Sequence, residues 1–153
     1  MPSIHFSSGK DDWGTPFSTF APWHEQFTFT VDAAANGDNH LLPRWYGPGG
    51  EREDALTHDW DPTERYWCNP PYSRTLQRQF IIQAYRVMSR GGVAVLLLPA
   101  RTDTKTFHEF IWDRFEAAPE KHITVHFLKG RIRFVGATHG APFPSMIVVM
   151  DGR

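Results

Sequence analysis

Asn69-Pro70-Pro71-Tyr72 combines side chains and carbonyls suited to one task, holding an exocyclic amino group while something is transferred to it. The Asn69 side-chain oxygen and the Pro70 carbonyl can each accept a hydrogen bond from the same NH2. Proline has a fixed φ and no N–H to offer, so the loop's carbonyls are held outward rather than spent on a local turn. Tyr72 then supplies a flat face on which a heterocycle can stack. The lone pair of an aromatic amino group is delocalised into its ring, which makes the nitrogen a poor nucleophile. Two acceptors pulling on its hydrogens favour a pyramidal nitrogen whose lone pair can point at an electrophile. Asn-Pro and Pro-Pro are also ordinary turn signals, and that reading stays open. Position favours the chemical one, because the tetrapeptide sits between a strand-like segment, Arg65 to Cys68, and a helix beginning near Ser73.

The remaining polar residues set limits on that chemistry. The net charge of −1 gives no general attraction for a polyanion, so nucleic-acid binding must rest on a local basic patch. Candidate phosphate contacts are Arg74 and Arg78 after the loop, Arg101 and Lys105 after the apolar run Val93 to Leu98, and Lys129, Arg131 and Arg133 near a late hairpin. Taken singly each is a solvated charge; placed at one sheet edge they form a basic rim. The single cysteine, Cys68, excludes internal disulfides and thiolate zinc sites. His122 and His126 are the only close histidine pair and have no third ligand nearby, so no metal is expected. The absence of an apolar leader or an eighteen-residue apolar run leads to the expectation of an intracellular, cytoplasmic protein.

The elements that must position these groups are readable from periodicity. The 153 residues, 41% hydrophobic and 14% aromatic, suffice for one compact unit with a real core and no second recognition domain. A polar tail is expected over 1–12 and a single domain over 13–153. Thr15-Pro16 reads as a helix start with Thr15 as cap, placing Phe17, Phe20, Ala21 and His24 on one face. Phe27 to Asp32 alternates as a strand ending in a carboxylate. Residues 33–42 read as a short helix or turn, Pro43 to Glu53 as a mobile loop, and Asp54 to Trp60 as a short strand or turn. Arg74 to Ser89 carries apolar residues at helical spacing and stops at Gly91-Gly92. Val93 to Leu98 suits a strand buried on both faces. Thr106 and Glu109 form a capping box for a second helix whose face is Phe107, Phe110, Ile111 and Phe115. Ile123 to Leu128, Arg131 to Val135 and Met146 to Met150 read as strands. The tryptophans default to core. The sum is an α/β sheet, mostly parallel with antiparallel strands at one edge, and its ligands belong at the carboxyl ends of the strands.

Taken in order, Trp13-Gly-Thr-Pro16, Val31-Asp-Ala-Ala-Ala35, Asp54-Ala-Leu56 with Trp60, Asn69-Pro-Pro-Tyr72 and Leu97-Leu-Pro-Ala100 resemble the phage DNA N-6-adenine methyltransferase family over nearly the whole chain. The resemblance implies a Rossmann-like, class I methyltransferase sheet, S-adenosylmethionine as donor and adenine in double-stranded DNA as acceptor, in a phage or prophage setting. Position by position, it places Trp13, Thr15 and Pro16 at the methionine end of the donor. Asp32 would meet the donor at the first strand, and Asp54 and Leu56 would lie near its adenine. An aromatic loop in related enzymes makes Phe143, in the Ala-Pro-Phe-Pro segment before the last strand, a second stacking surface; a core aromatic is the other reading. The glycine-rich turn common after the first strand of methyltransferases is replaced by Ala33-Ala34-Ala35-Asn36-Gly37. No acidic residue stands out for the donor's ribose, with Asp38 and Glu51 as candidates. The target base must be flipped from the duplex at a cost of about a few kcal/mol. Three alternatives remain: the same fold acting on RNA, the same fold acting on protein glutamine, and a non-catalytic DNA-binding module. Base recognition falls to the loops, Pro43 to Glu53 and Thr138 to Pro144.

Overall fold

A computed structural model describes residues 14–153; the expected tail and Trp13 lie outside the described residues. The order is α1 (Phe17–Phe27), β1 (Val31–Asp32), β2 (Arg65–Cys68), α2 (Arg74–Ser89), β3 (Val93–Pro99), a wide π-type helical turn α3 (Phe107–Ile111), β4 (Trp112–Asp113), β5 (Ala118–Pro119), β6 (Ile123–Phe127) and β7 (Ser145–Asp151). The main sheet runs β1-β2-β3-β7-β6, parallel from β1 to β3 and antiparallel on both sides of β7. A mixed α/β fold with a mostly parallel sheet and antiparallel pairing toward one edge is the architecture the alternation implied.

Period-two geometry explains why β3 is apolar throughout. Ala94, Leu96 and Leu98 join Phe80, Ala84 and Val87 of α2 in one core cluster, while Val93, Val95 and Leu97 join Phe20 and Phe27 of α1 in another. Every residue of the strand is buried, because a helix packs on each face. The α2 helix spans the residues its periodicity marked. Ser73 caps it, accepting from the Leu76 N–H, and Gly91 at φ 88° turns the chain into β3.

Several expectations are corrected. Thr15 does not cap α1: Pro16 occupies the cap position in extended conformation, and the Thr15 hydroxyl is bonded elsewhere. On the expected α1 face Phe20 is buried and Phe17 exposed. Of Phe27 to Asp32 only Val31 and Asp32 pair as a strand. The second helix is one turn only. Its N-terminal N–H, that of Phe107, is satisfied by Thr104 Oγ1, and Thr106 and Glu109 are both spent on the Arg78 guanidinium instead of on a capping box. Phe110-Ile111-Trp112 is a run of poor helix formers, and the chain leaves it into the β4–β5 hairpin. Asp113 Oδ1 accepts from the N–H groups of Phe115 and Glu116 and sets the turn, leaving Phe115 exposed at the tip rather than on a helix face.

Arg131 to Val135 is no strand of the sheet. Ile132 and Phe134 are buried and Arg131, Arg133 and Val135 exposed, as alternation demands, but among the described residues the segment's one bridge is Val135 to Gly14. β6 pairs with β7, and the expected late hairpin of β6 with Arg131 to Val135 does not form. Residues 33–42 and 54–60 form turns, without helix or strand. The segment from Pro43 to Glu53, expected to move freely, is fastened. Arg44 to Tyr46 runs beside β1 through Asp32 N–H to Arg44 O (3.0 Å) and Tyr46 N–H to Asp32 O (2.9 Å). Tyr46 is buried, and a Cβ at Gly50 would stand 2.3 Å from Trp45 O.

Candidate active site

The carboxyl ends of β1, β2 and β3 lie at one sheet edge, which brings Asp32, Asn69 and Arg101 to the same side of the molecule. Parallel pairing sets the register: Asp32 lies beside Trp67, and the Ala33 N–H continues the ladder to Trp67 O at 2.8 Å. Asn69 therefore leaves β2 next to the turn that follows Asp32. β7 begins at this edge too, with Ser145 opposite Pro99, so the segment holding Phe143 arrives there as well.

Asn69 Nδ2 donates to Thr15 Oγ1 at 3.0 Å. The amide's donor end is thus turned onto the segment preceding α1, which orients Oδ1 the other way. Asp32 is 3% exposed, and its carboxylate accepts from the Ala34 N–H (3.4 Å) and the Leu41 N–H (3.0 Å). Those bonds fix the Ala33-Ala34-Ala35 turn, where methyl side chains keep the backbone approachable without the glycines usual in such turns. A cavity of about 10 Å³ lies between Gly14, Thr15, Asp32, Asn39 and Asn69, with Trp67 on its wall, and has room for one water-sized group. The recess brings a hydroxyl, a carboxylate and amides together, so its surface is polar.

Pro70, Pro71 and Tyr72 are buried, and burial pushes the Tyr72 hydroxyl well above its ordinary pKa, so the ring is a neutral phenol. Phe143 meets Tyr72 edge to face, centroids 5.1 Å apart at 74°, and Phe134 meets it from another side at 5.9 Å. The two proposed stacking rings touch each other, so a base held by both requires residues 142–144 to move outward. Cys68, the last residue of β2, is fully buried, and burial raises its thiol pKa well above the usual value. It is an inert core side chain and no nucleophile.

Arg74, Arg101 and Lys105 meet in a cleft of about 340 Å³ between the first turn of α2 and the β3–α3 loop. Phe143 lies outside the lining of that cleft, but the Arg101 guanidinium stands 5.9 Å over its ring. Arg78 also lines the cleft and is held by Thr106 and Glu109.

Asp54 and Leu56 do not reach the Thr15–Asp32–Asn69 recess. Asp54 Oδ1 accepts from the Leu56 N–H at 2.9 Å, an Asx-turn, and Leu56 packs against the cluster containing Ala33, Ala34 and Ala55. Pro16 caps α1 beside Thr15 and is not on the recess wall. Of the ribose candidates, Glu51 is paired with Arg44, and Asp38 is exposed in the Asn36 turn. Among the described residues no group of three or more His, Cys, Asp or Glu is placed to hold a metal, and no helix is long and apolar enough to cross a membrane. The recess also contains Asn39 and Leu41, for which the sequence suggested no role, and Trp67, expected in the core and fully buried there. Asn36 and Asn39, three apart after a strand-end carboxylate, were the available signal: their side chains cap each other's backbone and shape the turn.

The family model for DNA N-6-adenine-methyltransferase (Dam) matches residues 3–151. No curated protein matches the chain.

Proposed function

Since the chain belongs to the DNA N-6-adenine-methyltransferase family, we propose that it methylates an adenine flipped out of duplex DNA onto the Asn69-Pro70-Pro71-Tyr72 loop, using S-adenosylmethionine. The observation that carries this reading is the Asn69 Nδ2 to Thr15 Oγ1 hydrogen bond, which ties the acceptor loop to the segment that would hold the donor. The donor, when bound, supplies an electrophilic methyl group on a sulfonium. Thr15 and Asp32 would hold its amino-acid end, with the small side chains of Ala33 to Ala35 allowing close approach. The parallel β1-β2-β3 sheet with helices on both faces and polar recesses at the strand ends supports a Rossmann-like, class I assignment.

Asn69 Oδ1 and the Pro70 carbonyl accept the two hydrogens of the adenine amino group. Held so, its lone pair would point at the donor's methyl group; the donor would supply that methyl and leave as a neutral thioether, and the amino group's surplus proton would pass to solvent water. Tyr72 offers its face to the adenine once residues 142–144 withdraw, and Phe143 closes on the other side. The buried, protonated Cys68 thiol supports direct displacement without a covalent enzyme adduct.

The test supplies methyl-labelled S-adenosylmethionine with duplex DNA, RNA and protein in parallel. Label recovered as N-6-methyladenine in DNA is the expected result. Label confined to RNA or to protein glutamine would overturn the acceptor assignment, and failure to bind the donor in calorimetry would reduce the chain to a non-catalytic module.

A further inference from the structure

The cleft of about 340 Å³ between α2 and the β3–α3 loop is lined by none of Thr15, Asp32, Asn69, Tyr72 or Phe143, yet it has the composition of a ligand site. Its lining includes Ile81, Leu98, Phe107, Ile111 and Met146, all buried and belonging to the α2-side core, so its floor is apolar. Its rim carries Arg74, Arg78, Arg101 and Lys105 with Asp103, and Glu109 beside it pairs with Arg78 at 2.7 Å and Lys105 at 3.6 Å. Ligand pockets run from about 300 to 1,000 Å³, so this one suits a single small occupant.

Three features say which occupant. Arg74 opens α2 directly after the capping Ser73, and no acidic residue stands in that first turn. A helix N-terminus already carries partial positive charge, so cations there are unfavourable unless an anion is to be met. Gln77 lies on the same wall, and its Nε2 is buried without a hydrogen-bond partner, a donor awaiting an acceptor. Arg101 both lines the cleft and stands over Phe143, which touches Tyr72. The cleft is therefore one side chain away from the acceptor loop.

We propose that this cleft binds the nucleotide next to the flipped adenine on the same strand, its base on the apolar floor and its phosphate between Arg101, Lys105 and Arg74. The inference rests on the reading of the chain as a DNA adenine methyltransferase and adds a second subsite to it. Held there, the neighbouring nucleotide anchors the strand on the side of α2 while the target base occupies the opposite face, near Tyr72. The overall charge of −1 then poses no obstacle, because the positive field is concentrated where the strand turns.

The experiment uses duplex oligonucleotides containing the methylated site, with single methylphosphonate linkages or single abasic sugars placed in turn at positions flanking the target adenine. For the unaltered protein, one linkage and its attached base should each weaken binding by about tenfold when changed. With Arg74, Arg101 and Lys105 all changed to Gln, the same methylphosphonate should change affinity less than about twofold further, since the three charges it would meet are gone, and each single change should give an intermediate effect. Donor affinity should be unaltered in all of these variants. A flat scan with methyl transfer to adenine intact would overturn the subsite and leave the enzymatic reading standing. A phosphate effect without a base effect would also overturn it, reducing the cleft to a surface patch. No transfer to DNA adenine at all would remove both.

Discussion

Asn69 is oriented by a residue 54 positions away, and this separates two roles at the site. Asn69→Ala removes an acceptor that acts on the reacting nitrogen, so kcat should fall by at least about 100-fold, the scale seen for single preorganised polar groups, while donor binding changes little. Thr15→Val keeps the acceptor but frees the amide to rotate; a smaller loss in kcat, about tenfold, is expected. Single-turnover rates beside donor calorimetry distinguish the two. A variant Asn69→Ala that turns over at the wild-type rate would refute the assignment. Cys68 behaves oppositely to a catalytic thiol. It should resist thiol reagents in the native protein and react only on unfolding, measured by timed alkylation with and without urea. Its folded-state pKa is raised by burial, so the folded form prefers the neutral thiol. That contribution to stability is complete below about pH 8.5 and is lost as the pH rises further.

Elements place the residues, and two joints matter most. The α2–β3 joint is tight: a Cβ at Gly92 would stand 2.7 Å from both Pro62 O and Val87 Cγ1. Gly92→Ala should therefore cost about 1–3 kcal/mol, read as a lower urea midpoint with an unchanged slope. Because α2 carries Arg74 and Arg78 at its other end, the same change should also disturb DNA affinity more than donor affinity. At the second joint, Thr104 accepts from the Phe107 N–H and donates to Arg101 O at 3.0 Å, so one side chain both caps α3 and shapes the loop that presents Arg101. The capping-box spacing at Thr106 and Glu109 was visible in the sequence. Its use was not, since the guanidinium that claims both side chains comes from α2, 28 and 31 residues earlier.

For the molecule as a whole, charge is distributed rather than abundant. Four cations on one cleft in a chain of net charge −1 predict DNA binding that is salt-dependent but not steeply so. The one phosphate held in the cleft should contribute about −1 to the slope of the logarithm of the binding constant against the logarithm of salt concentration. Fluorescence anisotropy over a salt series measures it, and a slope near zero would mean that these cations meet no phosphate. The two faces of the sheet divide the work in this arrangement. Aromatic residues of the α1 side, Tyr72, Phe134 and Phe143, surround the acceptor loop, while the α2 side holds the cationic cleft.

By itself the sequence determined the parts that depend on local rules. Helix α2 and strand β3 followed from periodicity and their glycine stop, and the Asn69-Pro70-Pro71-Tyr72 loop followed from the fixed φ of proline and the hydrogen-bonding capacity of asparagine. The order of spaced landmarks was enough to indicate the family. Only the tertiary structure decided which groups meet. It gave the Thr15 hydroxyl to Asn69 instead of to its own helix, and pinned Arg44 to Tyr46 along β1. It left Arg131 to Val135 outside the sheet although that segment alternates like a strand. The physical reason is common to all three. A hydroxyl, an edge ladder or an alternating segment can be satisfied by several partners at similar cost, and the choice falls to whichever partner the packed sheet brings within hydrogen-bond distance.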